Sequence, residues 1–91
     1  MENPLDVLQR GSGLSQARLR AVLGVRSDIW SGLKAGSAEG IPGKLRENLE
    51  RIGVDVTAFE EEYREWREGM MREGQAALRA KIKGETTDER D

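Results

Sequence analysis

Neither cysteine nor histidine occurs among the 91 residues of this chain. Without cysteine there is no disulfide, no thiolate nucleophile and no thiolate zinc ligand. Without histidine the commonest metal ligand and the commonest general base are also missing. Aromatics are scarce, with two Trp, one Tyr and one Phe. Charged residues (35%) nearly equal hydrophobic ones (36%), so the core must be small and the surface heavily charged. The length suits one small helical domain without staples. No apolar run approaches the roughly 18 residues a membrane span needs, and no membrane partner is expected. Met1-Glu2-Asn3-Pro4 does not read as a signal-peptide start, so the expected location is the cytoplasm.

Net charge is also small, at −2, and by itself makes no case for nucleic acid. Its distribution is more informative. Residues 57–91 hold seven Lys/Arg against ten Asp/Glu, whereas residues 1–56 hold eight against seven. Within the latter, residues 10–34 carry Arg10, Arg18, Arg20, Arg26 and Lys34 against Asp28 alone. Positive charge gathers in one short stretch, a modest basic footprint.

What is present is punctuated helix. Asn3 and Pro4 form a cap-and-first-turn signature, and Leu5 and Leu8 share a face behind it. Gly11-Ser12-Gly13 ends that segment. Ser15 stands at the next N-cap, Leu19 and Leu23 lie four apart, and Gly24 closes the helix Gln16–Leu23. Val25 plugs the turn before a helix over Ser27–Ala35, whose Trp30 and Leu33 share a face. After the loop 36–40, Pro42 starts a fourth helix with Ile41, Leu45, Leu49 and Ile52 as its apolar stripe, stopped by Gly53. Thr57 to Glu60 has capping-box spacing and predicts a fifth helix. Phe59, Tyr63, Trp66 and Met70 form its seam, and Glu60–Arg64 and Glu68–Arg72 are favourable pairs four apart. Gly69 and Gly74 each weaken its interior by about 1 kcal/mol. Ala77, Leu78 and Ile82 extend the apolar side to about Lys83, and residues 84–91 read as a disordered tail. Five helices and no credible strand make the chain all-α.

Two short helices held by a glycine turn are a framework that sets one of them into a DNA major groove. The run Gly13-Leu14-Ser15-Gln16, through Leu23-Gly24-Val25 to Trp30 and Leu33, resembles the lambda-repressor/Cro-like helix-turn-helix regulators. The later run from Ile41-Pro42 through Ile52-Gly53-Val54 to Phe59 is similar to that family's fourth helix and entry to its fifth. The likeness covers about residues 4–63. It implies a compact five-helix DNA-binding domain over 1–63; the extended charged helix over 57–83 lies largely beyond the likeness and is expected, on its own residues, to carry a dimerisation or partner surface. It also implies that Gln16 bonds a phosphate and that Arg26, Ser27, Asp28 and Ile29 reach base edges, with Ser31, Gly32 and Lys34 further along. Trp30 matches a buried aliphatic residue. The family usually has alanine at the position of Arg20, so Arg20 must splay outward or the helix rotate, with Ala21 taking the packing role. Arg26 occupies the family's cap position, so Ser27 or Asp28 is expected to cap instead, shifting the reading register by one.

The expected partners are therefore double-stranded DNA and a second copy of the chain. Arg26 suits a guanine edge, while Gln16, Arg18, Arg10 and Lys34 suit phosphates. Asp28 suits a capping role. Tyr63, Trp66 and Met70 are the expected dimer or partner surface, because a Trp-Met stripe beyond the core would otherwise lie exposed. The glutamates 60–62, 65 and 68 alternate with arginine on a solvated face, so no enzyme activity, metal or cofactor is expected. No small-molecule ligand is evident. The leading expectation is a sequence-specific transcriptional regulator, repressor-like, of phage or mobile-element type. The alternatives are a protein-interaction module, either an adaptor or an antitoxin using the acidic C-terminal helix, and a DNA-bridging or plasmid-maintenance protein.

Overall fold

Helices account for nearly all of the regular backbone in the computed structural model, which describes the backbone of residues 1–90 and the side chains of residues 1–83. There are five: α1 (Pro4–Ser12), α2 (Gln16–Leu23), α3 (Ser27–Ala35), α4 (Gly43–Arg51) and α5 (Val56–Arg90). No strand occurs among the described residues. The expected tail at 84–91 lies outside the residues described with their side chains.

Local chemistry explains the boundaries. Asn3 caps α1 by accepting from the Leu5 N–H at 2.9 Å, and Ser15 caps α2 by accepting from the Arg18 N–H at 3.2 Å. At the end of α2, Gly24 has φ 66°; its N–H reaches the Ala21 carbonyl and the Val25 N–H the Arg20 carbonyl. That pair is a Schellman closure, which satisfies carbonyls a helix end leaves orphaned and favours glycine in the left-handed position. Gly53, at φ 90°, closes α4 with the same pair onto Glu50 and Leu49.

Two expected boundaries move. Pro42 sits at the N-cap of α4 rather than inside it, because its ψ of 147° is extended. The capping box at Thr57–Glu60 is displaced by Asp55, whose carboxylate accepts from the Ala58 N–H at 3.2 Å, so α5 begins at Val56. Glu60 turns to Arg46 of α4 at 2.6 Å instead of to Arg64, tying two helices together. Despite Gly69 and Gly74, α5 is unbroken.

The core gathers one or two large side chains from each helix: Leu5, Leu19, Leu23, Trp30, Leu33, Leu45, Leu49, Phe59 and Tyr63. Each fully buried aliphatic side chain of this kind contributes about 1.5–3 kcal/mol. Ile52, expected on the α4 stripe, is 51% exposed because the helix ends there and the stripe turns off the core. Tyr63 belongs to the core and not to a partner surface: it is 1% exposed and its hydroxyl is spent on backbone carbonyls. Past Met70, every described α5 residue is exposed. The molecule measures 59 × 24 × 22 Å, and α5, at 35 residues or roughly 52 Å, supplies the long dimension.

Candidate nucleic-acid interface

The two ends of α3 are built from opposite materials. At its C-terminal end the Leu33 carbonyl accepts from Asn3 Nδ2 at 3.2 Å and from the Tyr63 hydroxyl at 3.0 Å. One carbonyl, which the helix itself leaves without a partner, thus joins the cap of α1 to the N-terminal part of α5. The Gly36 carbonyl accepts from Arg67 Nε at 2.9 Å, and the Tyr63 hydroxyl also reaches the Ala38 carbonyl at 3.3 Å. Gly36 adopts φ 80° against α5, where an added Cβ would meet Met70 Cε at 2.3 Å and the Trp66 ring at 3.4 Å. Trp66 and Met70, expected as a free stripe, are half-buried in this contact.

Burial holds the Tyr63 phenol above its ordinary range, with the nearby Arg67 guanidinium partly opposing it. The hydroxyl therefore stays a donor, as both carbonyls require.

At the N-terminal end α3 is bare. Arg26 occupies the N-cap with extended backbone (ψ 154°) and makes no side-chain cap. The helix still begins at Ser27, so the expected one-residue shift does not occur. Asp28 does not cap either; it faces Arg26 Nε at 3.3 Å, an exposed pair of small worth. Ser27, Asp28 and Ser31 are exposed, whereas Trp30 and Leu33 are buried. Ile29, 37% exposed, turns toward α4. There it lines a shallow groove of about 180 Å³ with Val25, Pro42 and Leu45, and Arg26 and Lys44 stand at the same groove.

The helix before it presents Gln16 and Arg18, both exposed, at an N-terminus where Ser15 satisfies one backbone donor. Asn48 of α4 donates to the Leu23 carbonyl at 2.6 Å and lies 3.3 Å from where a Cβ on Gly24 would sit. The turn between α2 and α3 is therefore pinned from outside as well as closed from within.

The structure redraws the basic footprint. Arg10 makes a two-pronged pair with Glu2 at 2.5 and 2.8 Å, which lowers the Glu2 carboxyl below its ordinary range and raises the guanidinium. Lys34, half-buried, pairs with Asp6 of α1. Both are thus partnered within the chain. Arg20 is half-buried with its Nε sealed from solvent and without a partner among the described residues, while Ala21 is exposed, the reverse of the expected packing. Arg18 and Lys44 are exposed and in no ion pair among the described residues. Lys44 escapes a reading by sequence stretch because it lies ten residues past Lys34, in another helix.

Among the described residues, no three His, Cys, Asp or Glu side chains are grouped to hold a metal ion, and no helix is long and apolar enough to cross a membrane. No protein-family profile matches the chain, and neither the curated proteins nor the solved structures contain a detectable relative.

Proposed function

We propose that the chain is a sequence-specific double-stranded DNA-binding regulator of the lambda-repressor/Cro-like kind, repressor-like and cytoplasmic, acting as two copies on paired half-sites. The observation that carries this reading is the asymmetry of α3. Its C-terminal end is bonded to α1 and α5, while its N-terminal turn offers Arg26, Ser27, Asp28 and Ser31 to solvent. A reading helix needs that combination, because base-edge bonds discriminate only when the scaffold fixes where the side chains stand. Arg26 is assigned to a guanine edge, Ile29 to apolar contact, and Gln16, Arg18 and Lys44 to phosphates. Lys34 is withdrawn from the phosphate set by its half-buried pairing with Asp6, while Arg10, in an exposed pair with Glu2, stays in it.

Binding to the DNA upstream of the chain's own gene, compared with unrelated DNA over a salt series, tests the proposal. The expected result is a specificity ratio on the order of 10³ or more, with a log–log salt slope corresponding to several released counterions. Equal and negligible binding to both DNAs overturns it in favour of a protein-interaction module.

A further inference from the structure

We propose that the groove between the start of α3 and the start of α4 binds a small carboxylate bearing about one ring of apolar surface, and that this ligand competes there with DNA. The site stands on the groove alone, whereas the competition rests on the proposed DNA contacts.

Four apolar side chains from three parts of the fold line this groove. Val25 comes from the turn after α2, Ile29 from α3, Pro42 from the N-cap of α4 and Leu45 from its first turn. Leu45 is the most deeply buried of the four, at 3% exposed, while Ile29 keeps 37% of its surface open. Apolar area left open beside a core is area a ligand can cover with gain. The groove holds about 180 Å³. A cavity of about 150 Å³ is room for one benzene ring, so this groove admits one ring and a short polar group. A nucleotide or a length of peptide is too large for it.

Charge decides what that polar group is. Arg26 and Lys44 line the groove, both exposed, and no acid lines it with them among the described residues. Lys44 is in no ion pair among those residues, and Arg26 has only its exposed contact with Asp28, which costs little to give up. A guanidinium receives a carboxylate through two parallel bonds, and an ammonium can donate to the same group. Free phosphate would leave the apolar walls uncovered, and a neutral ring would leave both cations unanswered. A carboxylate on a ring meets both demands, the usual pairing of apolar walls with a few placed polar groups. Arg26, Ile29 and Lys44 are also the residues assigned to a guanine edge, apolar contact and phosphate, so ligand and DNA draw on one set of groups. A ligand that fits only the DNA-free chain releases DNA by mass action.

Titrating the full chain with benzoate at constant ionic strength, and following its backbone amides by NMR, tests the site. Saturable shifts are expected at Gly24, Val25, Ile29, Lys44 and Leu45, with a dissociation constant on the order of 1 mM for so small a ligand. Arg26→Gln and Lys44→Gln are each expected to weaken binding about threefold, and benzyl alcohol, the same ring without the charge, to bind about tenfold more weakly. Benzoate is expected to release operator DNA as the groove fills, and benzyl alcohol at equal concentration to leave it bound. Shifts that do not saturate or that centre elsewhere overturn the site, as does benzyl alcohol binding as well as benzoate. Shifts of the same amides on raising protein concentration alone also overturn it, because a second copy is then the occupant. Filling of the groove while DNA stays bound overturns the competition. Filling of the groove in a chain without specific DNA binding keeps the site and removes only the DNA reading.

Discussion

Only nine residues separate the ends of α3, yet the chain treats them differently. The C-terminal end takes side-chain donors from residues thirty or more positions away, and its last large apolar residue, Leu33, is fully buried. The N-terminal turn takes no side-chain cap, and its only ion pair among the described residues is an exposed one between Arg26 and Asp28. A helix held at one end and bare at the other has its stability and its surface chemistry on separate residues. Substitutions at one end should therefore change folding, and substitutions at the other should change binding.

The sharpest way to break that division is Leu33→Ala, expected to cost about 2–5 kcal/mol in urea unfolding through the cavity it leaves. Asn3→Ala removes both the α1 cap and a buried bond to the Leu33 carbonyl, and a loss of about 1–3 kcal/mol is expected in the same assay.

Tyr63→Phe should cost about 1 kcal/mol at neutral pH and also change the alkaline limb. Because burial raises the folded phenol, its contribution is complete below the unfolded tyrosine value of about 10 and is lost as pH rises through the folded value. Tyr63 is the only tyrosine, so its phenolate absorbance reports the same event, and the phenylalanine variant should lack that fall. Arg26→Ala lies at the other extreme. It should move stability by no more than about 0.5 kcal/mol while weakening operator binding by about 1–3 kcal/mol, mainly at one base position. A large stability loss for Arg26→Ala, or a specificity change for Asn3→Ala, would merge the two ends into one function.

The same contrast separates what was legible in the sequence. Helix extents at α2 and α3, and the buried Leu19, Leu23, Trp30 and Leu33, follow from local spacing and from the glycines that close each helix. Those signals lie within a few residues of one another, and periodicity records them. The clamp on α3 does not. Asn3, Asn48 and Arg67 are polar side chains that reach backbone carbonyls 25 to 31 residues away, and no pattern in the chain marks them. Footprint charge fails for a related reason: Lys34 looks free until folding brings Asp6 beside it. Asp55 supplanted the Thr57 cap because an aspartate placed just before Val56 accepts from the Ala58 N–H and so starts the helix two positions earlier.

The Leu33 carbonyl also bears on how the molecule opens. It is a shared acceptor for residues on both sides of it in the chain, Asn3 and Tyr63. Peeling the N-terminus away or lifting α5 each strips a bond from the same atom, so neither fluctuation is independent of α3. In hydrogen exchange, α1, α3 and the body-facing turns of α5 should open as one cooperative unit, with α5 beyond Met70 exchanging ahead of them. The segment that would face DNA is then as slow to fluctuate as the whole domain, although half of its surface touches nothing.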